Sequence, residues 1–494
     1  MAHFSTRLLA AATMLFGAAA LLQGCAHVPN LGAKPALRSA QDIAAARSFT
    51  AQPKAIWPTE DWWSAFGDPQ LDRLIQQGLS GSPDLDVAVA RVRAAQAQLR
   101  EAGGTLGPQG QVNATIGGVK QSYNYGIPPA FVPRGINDAA TVNVQLGFDL
   151  DLWGRNRASL RAVRAQGKAA AFDLSQARLT IATAIAEAYA QFALLSADRT
   201  AATEAVAVRT RTRSLVEARI ANGLDTQAEA GNAAADVFGA KAEVAAIEEQ
   251  LALTRNQLAA LIGAGPDAGL SLLPPALERL AVHGLPANAT TELMARRPDI
   301  CSARALVEAA DERIRVARAD YYPSINLQAL VGLQALGIGN LLKAGSLYGN
   351  AGPALSLPLF HGAQLGGRYA GARANFDEAV ARYNGIVITA YREVADAVTS
   401  RAALVTRLSE RRSALAGYRK AAQVADLRYR GGLSTYLDVL TAQRAVLTEQ
   451  RLVADLEARS FLLDVQLVRA LGGGFHLPPP PPSAVVADKD AVHG

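Results

Sequence analysis

The side chains with the most chemical reach are scattered along this 494-residue chain. Six histidines (His3, His27, His283, His361, His476 and His493) include no close pair and no HExxH spacing of a zinc site. No GxSxG, Walker A or dinucleotide fingerprint occurs, so the sequence offers no catalytic constellation, no metal set and no cofactor motif. There are two cysteines, Cys25 and Cys301, too few for an intramolecular disulfide framework once Cys25 is spoken for. Cys301 sits early in a helical pattern, where it reads as a small packing residue.

Cys25 is the thiol whose surroundings specify a reaction. Arg7 precedes an apolar run, Leu8–Leu22, that is shorter than the roughly 20 residues a transmembrane helix needs. The run ends in Leu22-Gln23-Gly24-Cys25, the form of a lipobox, in which the cysteine is diacylated and becomes the mature N-terminus. Gln23 departs from the small or apolar residue usual there. Ala26, in place of an aspartate, favours the outer membrane. Each buried CH₂ of a lipid chain contributes about 0.8 kcal/mol, so a multiply acylated Cys25 is a firm anchor and the expected lipid contact. That covalent lipid is the one attached group the sequence implies.

The rest of the chain must position something other than a reaction centre. Charged residues are 19% and the net charge of +6 is spread without a basic, aromatic-laced patch, which excludes a nucleic-acid partner. Thr141–Gly154 alternates strictly: Val142, Val144, Leu146, Phe148, Leu150 and Leu152 on one face, Thr141, Asn143, Gln145, Gly147, Asp149 and Asp151 on the other. That is a two-faced strand. From Arg155 to Ala221 there is no proline and a single glycine, which predicts a helix about 100 Å long at 1.5 Å per residue.

This arrangement occurs twice. Pro83-Asp84 and Pro298-Asp299 open equivalent helices 215 positions apart, and Pro108 and Pro323 keep that offset. Two strands follow in each half: Gln111–Lys120 with Thr141–Gly154, then one through Ile325, Leu327, Ala329, Val331 and Leu333 with one over Asn350–Leu359. A second long helix is predicted over Ala363–Arg430. Both long helices end in a glycine turn, Gly223 and Gly432, which suit the left-handed position past a helix end; Asp225 and Ser434 then cap the return helices. The return helices close at Gly263 and Gly472, and these glycine pairs lie 209 apart.

Four strands of about ten residues match a tilted bilayer crossing, yet an open sheet edge in lipid is too costly and four strands are too few to close. A membrane reading therefore demands a barrel shared between subunits. The soluble alternative is two hairpins packed on a helical bundle.

At this point the chain resembles TolC-type outer-membrane efflux ducts, in the NodT-like lipoprotein branch. The resemblance rests on Trp62-Trp63-Ser64-Ala65-Phe66-Gly67-Asp68-Pro69, Asp149-Leu150-Asp151-Leu152-Trp153-Gly154-Arg155, Arg296-Arg297-Pro298-Asp299-Ile300, Tyr322-Pro323-Ser324-Ile325-Asn326-Leu327, and Leu440-Thr441-Ala442-Gln443 with Ala470-Leu471-Gly472. It implies a mixed α and transmembrane β fold: a homotrimeric, 12-stranded β-barrel continuing into a coiled-coil helical tunnel in the periplasm. It also implies docking to a periplasmic adaptor and an inner-membrane efflux pump, with Gly223, Asp225, Gly432 and Ser434 at the docking tips. Asp438 matches an acidic ring at the periplasmic gate, Leu437 a hydrophobic constriction and Tyr429 a tip tyrosine. Thr441 stands where a second acid is usual. Asn143, Gln145, Asp149 and Asp151 are the expected pore-lining face of the barrel. Arg155, Arg157, Arg161 and Arg164 are expected at lipid headgroups or the lumen wall.

The chain thus divides into a signal peptide (1–24), an anchor and collar segment (25–82), a first repeat (83–263), an inter-repeat collar segment (264–297), a second repeat (298–472) and a Pro-rich flexible tail (473–494). The function expected is passive conduction of drugs or small aromatic compounds out of a bacterium. The alternatives are a trimeric coiled-coil surface lipoprotein with a structural role, and an outer-membrane enzyme or substrate-specific porin.

Overall fold

The alternating segments form four antiparallel strands, β1 (Gln109–Val119), β2 (Asn137–Asp149), β3 (Ser324–Leu336) and β4 (Leu347–Ser356), in one sheet of order β1-β2-β3-β4. The computed structural model describes residues 28–49, 55–124, 128–275, 285–358 and 361–477. Cys25, the signal peptide, Leu359 and residues 478–494 lie outside the described residues. The chain divides into two compact units, one of 1–37, 91–170 and 303–383, the other of 38–90, 171–302 and 384–494.

Register keeps the two sheet faces separate across all four strands. Val112, Val144 and Val331 share one transverse row, and Ala114, Val142, Leu333 and Leu347 the next, on the apolar face. Gln111 and Gln145 are paired on the opposite face, as are Asn113 and Asn143. Two strand ends differ from the sequence expectation. β2 stops at Asp149, because Asp151 takes a positive φ of 45° and Gly154 one of 72°, which turn the chain out of the ladder. β4 begins at Leu347 and ends at Ser356, three residues earlier than the pattern suggested. Its Pro353 lacks an N–H, which an edge strand of the chain's own sheet tolerates.

Eight helices of eight residues or more lie among the described residues. They are α1 (Pro69–Gly81), α2 (Pro83–Gly104), α3 (Arg155–Ala221), α4 (Gln227–Leu261), α5 (Ala289–Arg296), α6 (Pro298–Ala319), α7 (Gly362–Arg430) and α8 (Tyr436–Ala470). α3 spans the 67 residues expected of it. α1 and α5 fall in the two segments assigned to the collar. Asp68 starts α1 by accepting from the Gln70 and Leu71 amides, and Leu71, Leu74, Ile75 and Gly78 bury one face. Each repeat therefore carries a short helix ahead of its opening helix.

The second unit's core gathers Trp62, Phe66, Leu71, Ile75, Ile185, Phe192, Leu258, Phe461 and Val465. Two equivalent glycines set the packing there. Gly263 (φ 73°) lies against the Gly81 carbonyl and Gly472 (φ 92°) against the Arg296 carbonyl, so a Cβ at either site would stand about 2 Å from a backbone oxygen. Gly473 and Gly474 pack as closely, on Leu179 and Thr59, and Phe475 meets Phe172 edge-on. Residues 473–475 therefore belong to the packed structure and not to a flexible tail. Cys301 is buried in α6.

Candidate functional site

On the sheet's polar face the side chains bond across strands. Gln111 Nε2 donates to Gln145 Oε1 at 2.8 Å, and Asn113 Nδ2 to Asn143 Oδ1 at 3.3 Å. Asn143 Nδ2 in turn donates to the Tyr348 hydroxyl at 3.0 Å, from two strands away. Gly332 stands between them in the register and lets the tyrosine reach across; a Cβ there would sit 2.6 Å from that of Asn143. The opposite face leaves Val112, Ile116, Val144, Leu146, Val331, Leu347 and Leu355 exposed. One sheet thus offers a bonded amide face and a bare apolar face.

The strand-to-helix junction uses the two aspartates expected on the barrel wall. Asp149 Oδ1 accepts from the Asp151 amide at 2.8 Å, and its Oδ2 from Asn156 Nδ2 at 3.0 Å. Asp151 lies past the strand. Its carboxylate accepts from the Asn156 and Arg157 amides (2.9 and 3.0 Å) and from Arg157 Nε (3.1 Å). Burial pushes the Asp151 carboxyl up, but those donors outweigh it and hold it below the usual range. Asp151 therefore starts α3, which explains the turn that ends β2. Trp153 is tied down beside it, its Nε1 donating to the Pro323 carbonyl at 2.7 Å and its ring stacked on Tyr322. Three of the arginines that follow are ion-paired and still about half exposed: Arg155 with Asp320, Arg157 with Asp151 and Arg161 with Glu312.

The third cluster lies where each long helix turns back. Gly223 (φ 71°) and Gly432 (φ 76°) close α3 and α7 in the same way. The amide after each glycine bonds back to the carbonyls of Arg219 and Arg428, at 2.9 and 2.8 Å. Asp225 and Ser434 do not cap the return helices. Thr226 and Thr435 do, each in a reciprocal box with Glu229 or Asp438. Asp438 Oδ2 accepts from both the amide and the hydroxyl of Thr435 (3.0 and 2.9 Å), and these bonds hold the exposed carboxyl below its usual value. Leu437 is exposed, and Thr441 bonds back to the Leu437 carbonyl at 2.8 Å.

Asp225 instead joins the two hairpins. Its carboxylate takes Arg219 Nε at 2.9 Å, Arg219 Nη2 at 3.3 Å and the Tyr429 hydroxyl at 2.6 Å. The Arg219 guanidinium also covers the Tyr429 ring at 4.6 Å. Burial pushes the Asp225 carboxyl up, but Arg219 and Tyr429 overcome it and hold it low; burial and Asp225 together push the Tyr429 hydroxyl up. Below this lock Tyr429, Tyr436, Val216, Ala233, Val439 and Leu440 form a small apolar core. Asp236 adds a second tie, accepting from Tyr436 (3.3 Å) and Arg444 (2.9 Å). Sequence reasoning placed Tyr429 and Asp225 near the tips, but missed Arg219, Asp236, Tyr436 and Arg444. Asp236, Tyr436 and Arg444 find their partners some 200 positions away, beyond any local pattern, and Arg219 joins nearby Asp225 to Tyr429, 210 positions on.

Comparison with known proteins places these features in context. A model of the family "Outer membrane efflux protein" matches residues 74–264 and 290–473. The multidrug resistance outer membrane protein MdtP of Shigella flexneri is 32% identical over 485 residues, covering 94% of this chain and 96% of that one. The fusaric acid resistance protein FusA of Burkholderia cepacia is 34% identical over 368 residues, 72% of this chain and 68% of its own. The crystal structure of the outer membrane protein VceC from Vibrio cholerae superposes with a TM-score of 0.79 at 40% identity, over 85% of this chain and all of that one.

Proposed function

The chain belongs to the outer membrane efflux protein family, and from that premise we propose that three copies close one barrel around a shared channel. It is an outer-membrane efflux channel: a transmembrane β part joined to long periplasmic helices. The observation that carries the trimer is the sheet itself. Its apolar and amide-bearing rows lie on opposite faces, and both of its edges, β1 and β4, have no strand partner among the described residues. Lipid tolerates such edges only when another strand covers them. Three chains supply twelve strands, within the range of closed barrels. The bare valine and leucine face then meets lipid, and Asn143, Gln145 and Asp149 look into the lumen.

The duct conducts passively and catalyses nothing. Its selectivity is supplied by an inner-membrane pump and a periplasmic adaptor that docks at the hairpin tips, where Leu224, Leu433 and Leu437 are exposed beside Gly223 and Gly432. Asp438, Leu437 and Thr441 form the periplasmic constriction, with Asp438 contributing one carboxylate per chain, while Tyr429, buried beneath the tip, acts through its bond to Asp225. The cargo is drugs or small aromatic compounds. Native mass spectrometry of the detergent-purified protein should give three chains, and that species should produce single-channel steps in planar bilayers. A monomer without steps would overturn the reading.

The proposal includes acylation of Cys25, with no other attached group. Support comes from the strap that follows it. Arg373 of α7 donates to the Gly32 and Ala33 carbonyls, and Lys34 pairs with Asp311 of α6 while its Nζ lies 5.1 Å from the Phe376 ring centre. These contacts hold the N-terminal segment near the strand-proximal start of α7. Metabolic labelling with palmitate should mark the wild-type chain and leave Cys25→Ala unlabelled; an unlabelled wild type would contradict the anchor.

A further inference from the structure

The two halves differ along the seam between long helix and return helix. With the 209-residue offset, Ala202 and Ala240 of the first half correspond to Arg411 and Glu449 of the second. The alanines are buried, whereas Arg411 Nη1 reaches both Glu449 oxygens at 3.1 and 3.2 Å. Phe192 and Arg255, stacked with the guanidinium 5.3 Å from the ring centre, correspond to Arg401 and Asp464. Arg412 also pairs with Glu457 at 2.7 Å. Arg411–Glu449 and Arg412–Glu457 are ion pairs that join α7 to α8, Arg401 approaches Asp464 across the same seam, and among the described residues no ion pair joins α3 to α4.

Asp464 is the odd member of this set. Its side chain is 3% exposed and packs beside Phe461, Val465 and Val468, which belong to the apolar core. Among the described residues Arg401, from α7, is the single charged group that acts on it. Arg401 Nη1 stands 3.2 Å from Asp464 Oδ1, yet that buried nitrogen makes no hydrogen bond of good geometry. A buried carboxylate is costly unless paired and bonded, so the neutral acid is the form that suits this site. We propose that Asp464 is a proton-binding site in the wall of the second hairpin, and that its proton keeps the α7–α8 seam closed.

The sign follows from linkage. Burial pushes the Asp464 carboxyl up to about 7, against the pull of Arg401. The closed seam binds the proton more tightly than any arrangement that lets water reach the carboxylate. Rising pH therefore releases the proton to solvent and favours a parted seam; falling pH keeps it shut. The first half, with its alanines and its arginine on phenylalanine, has no equivalent carboxyl and acts as a strut. This device is separate from the tip lock and does not depend on conduction.

Hydrogen–deuterium exchange on the full-length protein in detergent tests it, with times scaled for intrinsic exchange. Residues 456–468 of α8 are compared with 247–259 of α4, their counterparts. Protection of the α8 segment relative to the α4 segment should fall by about fivefold from pH 6 to pH 7 and level off above that, where the closed seam has itself lost the proton. In Asp464→Asn it should stay at the low-pH level throughout. Should that variant fail to fold, Arg401→Phe with Asp464→Arg installs the first half's pair and should also abolish the pH dependence. A constant wild-type ratio from pH 6 to 8, or unchanged pH dependence in a folded variant, would overturn the proposal.

Discussion

Asp225→Ala is expected to open the periplasmic tip. The carboxylate is the one group shared by Arg219 and the Tyr429 hydroxyl, and so it joins the first hairpin to the second. Removing it leaves a buried phenol and a half-buried guanidinium without their acceptor. A hydrogen bond to a charged group contributes roughly 1.5–3 kcal/mol, so about 2 kcal/mol per chain shifts a closed-to-open balance on the order of thirtyfold. Single-channel conductance in planar bilayers should rise well above the wild-type level. Tyr429→Phe keeps the ring under Arg219 and loses a single bond, so it should move conductance in the same direction by less. The sign with pH follows from the low Asp225 carboxyl: the lock is complete above the ordinary carboxylate value near 4 and is lost as pH falls through the lower folded value. Wild-type conductance should therefore increase in strong acid and that of Asp225→Ala should not. Equal conductance in wild type and Asp225→Ala would sink the lock.

Arg297→Ala should be the most damaging substitution to the fold. The guanidinium is almost wholly enclosed and uses three of its nitrogens. Nε and Nη2 grip both oxygens of Asp299 (3.0 and 2.6 Å), while Nη1 donates to Glu393 at 2.7 Å and to the Ala470 carbonyl at 3.0 Å. It thereby ties the start of α6 to α7 and closes the end of α8. Burial alone would lower its affinity for a proton, but Asp299 and Glu393 raise it, so the charge is kept. Removing one partner of such a group costs about 3–5 kcal/mol, because the carboxylates remain without their cation. The melting temperature should fall on the order of 10 °C. Arg297→Lys should recover little, since an ammonium cannot make the two-pronged bond to Asp299. Melting within a degree or two of wild type for Arg297→Ala would contradict this account.

Much of the fold was legible because the repeat announces itself in punctuation. Pro83 and Pro298, Gly223 and Gly432, and Gly263 and Gly472 mark helix starts and ends that the structure reproduces. What failed was decided by partners that local pattern cannot see. Alternation continues through Leu150 and Leu152, but the Asp151 carboxylate gathers the Asn156 and Arg157 amides and turns the strand out. Asp225 and Thr226 are both good capping residues; Arg219 and Tyr429 claim the first and leave the cap to the second. Helix α1 hides behind Pro69 and Gly78, although Asp68-Pro69 with Leu71, Leu74 and Ile75 carried its signal. The Arg297 hub sat within a quoted motif, yet two of its acceptors come from 96 and 173 positions away.

The central claim, that this chain is the outer-membrane duct of an efflux system, is tested most directly by substrate accumulation. A strain lacking the chain should accumulate a panel of drugs and aromatic acids above the wild-type level, and the intact chain should restore export. Wild-type accumulation across the whole panel in the deletion strain would contradict the account.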